Sequence, residues 1–228
     1  MRLSAFRSAV AGCVCVLLLG AAPVTLAARA TDPLLVPIVH PNDVLTYSDE
    51  FRMTPGMNQH GTTAFRIVAS DRSGIRYRRD VAAHQATFFR GDAGAITGDE
   101  PVGLPFFLPQ EWLGRHPAVL RAHLQWPIAL SAGSVMGSPG TGIMRVVSID
   151  RQTNHLVLYM FILGKDKSQP GSGARPVTIA DIVTFRAATI ELTNGVIESC
   201  TITGYDIESA HDAVLDSQQF DTTIKRVP

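Results

Sequence analysis

Apolar and polar residues alternate with a period of two over much of this chain, the signature of strands whose successive side chains face opposite ways. The pattern is clearest around Asn194–Gly195, where ATIELT precedes the pair and VIESCTITG follows it. Asn-Gly between β-formers predicts a type I′ hairpin turn, because both central residues need φ > 0 and these two tolerate it best. A two-residue turn sets Leu192 opposite Ile197 and Ile190 opposite Ser199 on one face, with Glu191 opposite Glu198 on the other. Two facing carboxylates require water, so the Leu/Ile face is the buried one.

The remaining chain reads as further antiparallel strands built on that face. Val44–Met53 alternates so that Leu45, Tyr47 and Phe51 point inward, and Thr54–Gly61, with Pro55 and two glycines, reads as a loop. Thr62–Ser70 and Ile75–Val81 form a pair across Asp71–Gly74, with Phe65, Ile67, Ala69, Ile75 and Tyr77 inward. Ala86–Arg90 continues the meander into the turn-rich Gly91–Gly98. Ile143–Ile149 and Asn154–Leu163 are dense in Val, Ile, Leu, Tyr and Phe, which predicts a hairpin at the centre of the sheet. Ser131–Gly142 and Gly164–Pro176 read as Gly- and Ser-rich connections, Val177–Phe185 as a strand, and Gln218–Lys225 as a closing strand with Phe220, Thr222 and Ile224 on one face.

Leu104–Leu130 breaks the pattern. It is the most aromatic and apolar section and is interrupted by Pro105, Pro109, Pro117 and Pro127. Two short helices are predicted, Gln110–Arg115 and Pro117–Leu124, the second with proline in its first turn, where the missing N–H costs nothing. This segment is expected to cap or plug the sheet, and Phe106, Phe107, Trp112, Leu120 and Trp126 are its candidate ligand-binding side chains. Core filling is the competing role for the same aromatics.

The termini and the charge change the picture. Arg2 and Arg7, the apolar run Ala9–Leu19 and the small residues ending Ala28-Arg29-Ala30 predict a signal peptide over residues 1–30. Cleavage after Ala27 or Ala28 is the alternative. Val10-Ala11-Gly12-Cys13 resembles a lipobox, but its apolar core follows the cysteine instead of preceding it. Residues 31–42, with Pro33, Pro37 and Pro41, form an extended lead-in, and residues 43–228 form a single β-rich domain. The whole chain holds 20 Lys+Arg and 20 Asp+Glu; residues 1–30 hold three Arg and no acid, so 17 against 20 remain, a net charge of −3 with His neutral. A weakly acidic surface gives no counterion-release drive toward nucleic acid, and Arg72, Arg76, Arg78 and Arg79 read as a solvated hairpin surface. Without Cys13 and Cys15 only Cys200 is left, so no internal disulfide can form.

Catalytic patterns do not assemble. The seven histidines contain no H-x-H and no i, i+4 pair. There is no G-x-S-x-G, no Walker A sequence and no G-x-G-x-x-G after a strand. Asp49-Glu50 and Asp99-Glu100 are chain neighbours, which on a strand face opposite ways. Neither a metal nor a cofactor is expected.

The expected fold is mainly β: an antiparallel curved sheet or incomplete barrel of around eight to ten strands with one or two short helices packed against it, a two-sheet β-sandwich being the alternative. This layout resembles that of periplasmic proteins that hold lipid or another apolar ligand in a half-barrel, without any shared motif. The expected function is that of an exported, non-enzymatic cell-envelope protein binding a hydrophobic molecule or lipid in a β-lined pocket. The alternative is an envelope protein–protein interaction or structural protein with a solid core. The periplasm is the expected compartment, with secretion or lipid anchoring as alternatives. No membrane span is expected once the signal is removed, and the long irregular segments argue against an outer-membrane barrel.

Overall fold

The computed structural model describes residues 31–54, 57–71, 74–81, 84–90, 96–97, 106–108, 110–130, 140–167, 181–210 and 213–228. The expected signal peptide (residues 1–30), most of Gly91–Gly98, residues 131–139 and residues 168–180 lie outside them.

The strands are β1 (Val44–Thr54), β2 (Met57–Asp71), β3 (Gly74–Val81), β4 (His84–Arg90), β5 (Ile96–Thr97), β6 (Gln125–Leu130), β7 (Gly140–Asp150), β8 (His155–Lys167), β9 (Asp181–Thr193), β10 (Val196–Ala210) and β11 (Ala213–Val227). They form one antiparallel sheet in the order β5-β4-β3-β2-β1-β11-β10-β9-β8-β7-β6. It is a single curved sheet that stops short of a closed barrel, not a sandwich, and it has eleven strands among the described residues. Every neighbour in this order is a neighbour in sequence except one. The first strand meets the last, with Thr46 opposite Val227 and Thr54 opposite Gln219.

Consecutive strands β5 and β6 consequently stand at opposite edges, and the chain between them must cross the sheet. That crossing delivers Phe106, Phe107, Leu108, Trp112, Leu113 and Leu120 to the buried face. The only helix described there is α1 (Gln110–Leu113), a single turn. The second helix expected, Pro117–Leu124, does not form, and Gln125–Leu130 is the edge strand β6. The reason is tertiary: the Leu120 N–H donates to the Asp32 carboxylate (2.7 Å), the His123 N–H donates to the Val146 carbonyl (3.0 Å), and His123 takes φ 61°. Bonds outward to other elements replace the ladder a helix needs.

The Asn194–Gly195 turn forms with φ 54° and 69°, as a type I′ turn requires. Ile197 faces Leu192, but beyond it the expected register is corrected. Ser199 pairs with Glu191 and Cys200 with Ile190, because Glu198 is looped out in a β-bulge. The bulge brings Cys200, not Ser199, to the core and sends Glu198 toward Arg226, whose Nη1 donates to Oε1 at 2.7 Å. A second bulge, at Val68, turns Ala69 into register with exposed Arg76 instead of inward. The expected loop Thr54–Gly61 is also shorter: Thr54 ends β1 and Met57–Gly61 begin β2, with Met57 opposite Met53.

The β7–β8 hairpin lies beside the β6 edge, not at the centre. Its density of apolar residues serves two faces at once: Met144, Val146, Leu158, Met160 and Ile162 inward and buried, and Ile143, Phe161 and Leu163 outward and exposed. The lead-in is not a ladder strand. It makes one 3-10 turn at Pro33–Leu35, buries Leu34 and Leu35, and crosses the hairpin turn, where the Ile38 N–H donates to the Asn194 carbonyl (2.8 Å).

Candidate functional site on the inner face

The buried face of the sheet carries two apolar clusters. One gathers Phe106 and Phe107 with Leu45, Tyr47, Phe65, Ile67, Ile75, Tyr77 and Val196 on the β1–β3 side. Phe106 meets Tyr77 and Phe107 edge-on at centroid distances of 4.9 Å each, and Phe65 at 5.4 Å. The other places Trp112, Leu120 and Trp126 against Met144, Leu158, Ile190 and their neighbours on the β6–β10 side. The five aromatic and apolar residues singled out from sequence are thus split between two clusters. All are sealed: Phe106, Phe107 and Trp112 are 0% exposed, Leu120 1% and Trp126 4%. They form a roof over one end of the inner face.

The roof is held by backbone groups that the bulge sets free. The Ile197 N–H donates to the Phe106 carbonyl (2.8 Å), and the Ile197 carbonyl accepts from the Tyr47 hydroxyl (2.7 Å). Desolvation pushes the Tyr47 phenol well above its ordinary range, so it remains a hydrogen-bond donor. The Trp126 indole donates to the Leu113 carbonyl (2.7 Å), tying α1 to β6. Asp32 closes the end: its carboxylate accepts from the Leu34 N–H (3.1 Å), the Leu120 N–H (2.7 Å) and Arg151 Nη2 (2.9 Å). Burial pushes its pKa up, yet these hydrogen bonds and the Arg151 charge hold it below the usual 3.8. Among the described residues, the Trp112 indole nitrogen Nε1 is a buried donor under the roof with no acceptor.

Toward the far end of the same face the side chains change character. Gly204 on β10 stands between Arg186 on β9 and Phe220 on β11. A Cβ at Gly204 would lie 2.2 Å from Phe220 Cζ, so only glycine leaves room for the ring to lie across β10. There the ring meets the Arg186 guanidinium, whose Cζ is 4.2 Å from the ring centroid, a cation–π contact. Arg186 Nη1 donates to the carbonyls of Phe185 (2.9 Å) and Tyr205 (3.1 Å). Nη2 lies 2.7 Å from Asp206 Oδ1, close enough for an ion pair although not aligned as a hydrogen bond. The Nε of this 6%-exposed arginine has no partner. Phe51 packs beside Phe220 with centroids 6.0 Å apart, and Phe51, Met53 and Phe220 are all half-buried.

No protein-family model, curated protein or solved structure matches this chain. What the site can do follows from its own chemistry. Its far end offers half-buried apolar side chains beside a fixed cation and a part-exposed carboxylate, and an orphan indole donor lies sealed beneath the roof. Cys200 is buried with its thiol pushed up to about 12 by desolvation, which opposes thiolate chemistry there. Among the described residues no three His, Cys, Asp or Glu side chains converge as a metal site would need, and no helix is long and apolar enough to cross a membrane.

Sequence reasoning missed Arg186, Gly204, Asp206 and Asp32. Arg186 and Gly204 left a signal: each occupies the inward phase of an otherwise apolar alternation, Ile190-Ala188-Arg186 and Cys200-Ile202-Gly204. Asp32 left none, since its partners Leu120 and Arg151 are 88 and 119 residues away.

Proposed function

We propose that this is an exported, non-enzymatic cell-envelope protein, periplasmic after cleavage of residues 1–30, that binds a hydrophobic ligand or lipid against the inner face of its open sheet. The observation that carries this reading is Trp112. The crossing segment brings this large aromatic onto the inner face, seals it from water and leaves its indole N–H without an acceptor. A buried donor left unsatisfied costs about 1–3 kcal/mol, a cost that a carbonyl, ester or hydroxyl oxygen on an apolar guest offsets. In this reading Phe106, Phe107, Leu120 and Trp126 are the fixed roof, while Phe51, Met53 and Phe220 form the half-exposed approach. Native mass spectrometry of protein isolated from the periplasm, followed by organic extraction, tests it. A co-purifying apolar mass that is reduced by Trp112→Phe and by Phe220→Ala supports the proposal. A clean apo mass with no uptake from a lipid mixture overturns it, and intact mass of the secreted form reads the cleavage point directly.

A second reading is favoured by the opposite face. Ile143, Phe161, Leu163 and Tyr205 are 38–45% exposed and adjoin across β7–β10, with half-buried Phe185 between Leu163 and Tyr205 in register. Exposed apolar groups that adjoin in this way mark docking surfaces. A solid-core envelope protein would use them to meet a protein partner. Crosslinking in the intact envelope from a probe placed at Phe161 separates this reading from the first.

A further inference from the structure

At the far end of the inner face, Arg186 and Asp206 each leave a buried hydrogen-bonding atom unused. Arg186 Nη2 lies 2.7 Å from Asp206 Oδ1 without the alignment of a hydrogen bond, so Oδ1 has no donor and Arg186 Nε has no acceptor. Nε and Nη2 are bonded to the same Cζ, so one small polar group can bridge the two unused atoms. The in-register neighbours do not fill that role. Ile162 on β8 and Gly204 on β10 flank Arg186 with no side-chain acceptor. Gln218, beside Asp206 on β11, donates its amide N–H to Asp216 Oδ2 (3.1 Å), and Thr184, on the other side, does not reach Oδ1. These four neighbours are uncharged, so the ion pair is locally neutral. The next charged groups in the same phase of β10 and β11 are Glu208 and Asp216, which stand opposite one another and are both acidic.

We infer that the molecule held on this face carries a hydroxyl head group, and that a carboxylate head is rejected. The inference rests on the reading that an apolar guest occupies the inner face, and it names the chemistry that selects the guest. A hydroxyl accepts from Arg186 Nε–H and donates to Asp206 Oδ1, which satisfies both buried atoms at once. A carboxylate only accepts: it would meet Nε–H but set oxygen against oxygen at Asp206, with Glu208 and Asp216 adding like charge. An ester also only accepts and leaves Oδ1 without a donor. The pair stands at the margin of the sealed region, since the Asp206 side chain is 33% exposed and that of Arg186 6%. A head group arriving from solvent therefore reaches it beside Phe220, whose ring centroid is 4.2 Å from Arg186 Cζ, while the apolar body lies along half-buried Phe51 and Met53.

Titration calorimetry of the full secreted chain with decanol, methyl decanoate and decanoate at neutral pH tests it. Wild type is expected to bind decanol. Asp206→Asn removes the like charge and offers an amide donor, so it is expected to tighten decanoate by about tenfold while changing decanol far less. Decanoate that binds wild type as tightly as it binds Asp206→Asn overturns the inference. Nuclear magnetic resonance of the wild-type chain supplies a readout independent of any variant. The Arg186 Nε–H signal, assigned through its Overhauser contacts to the Phe220 ring, is expected to shift on saturation with decanol, and a stationary signal overturns the inference. Three probes that bind alike with that signal unmoved mean that water bridges the pair: the head-group inference then falls and the apolar-guest reading stands. No binding by any of the three overturns both.

Discussion

Gly204 sets the arrangement of the far end of the inner face by what it lacks. Alanine there meets the tip of the Phe220 ring, and the ring can escape only by swinging away from Arg186. Gly204→Ala is therefore expected to cost about 1–3 kcal/mol in urea denaturation and to change the near-ultraviolet circular dichroism of the Phe51–Phe220 pair. Asp32 acts through charge. Its folded pKa lies below the unfolded value, so its contribution is complete above pH 3.8 and is lost as the pH falls through the folded pKa. Asp32→Asn should destabilise the protein by about 1–3 kcal/mol at pH 7, and its deficit relative to wild type should shrink below pH 3.8. A deficit unchanged at low pH would show that the side chain acts through packing alone. Individual roles were the least legible part of the sequence, because Asp32, Ile197 and Trp126 are defined by partners brought in from other elements.

At the scale of elements, alternation and turn chemistry were readable wherever bonding is local. The β9–β10 hairpin announces itself in Asn194–Gly195, yet its bulge does not, because looping out Glu198 leaves the Ile197 backbone groups to serve Phe106 and Tyr47, which lie far off in the chain. The second helix failed for the same reason: Pro117 is compatible with a first helical turn, but Asp32 and Val146 capture the N–H groups that the helix would use. Gly195 joins both levels. Its φ of 69° and the Val36 carbonyl, which would lie 2.2 Å from an added Cβ, exclude any side chain. Gly195→Ala is expected to lower the urea midpoint by the equivalent of more than about 1 kcal/mol. Hydrogen exchange should locate the loss at Ile38, whose N–H donates to the Asn194 carbonyl, before the strands themselves open.

For the whole molecule, an open, mainly antiparallel sheet was legible from the repeated two-residue period. The strand order was not, because nothing in the alternation says that the first strand pairs with the last. The five candidate residues lie on the crossing segment and on β6, and their division between two clusters depends on which strands lie beneath them. The meeting of β1 with β11 also orders events in time. Until β11 has left the ribosome, the sheet can form only as two separate ribbons, β1–β5 and β6–β10, each with a bare edge. Contacts such as Thr46 with Val227 join residues far apart in sequence, the kind of topology that folds slowly. A chain ending at Ala210 should accordingly show no cooperative melting transition. The newly made protein thus passes through a long interval as an aggregation hazard, and a chaperone that shields strand edges would have its work there.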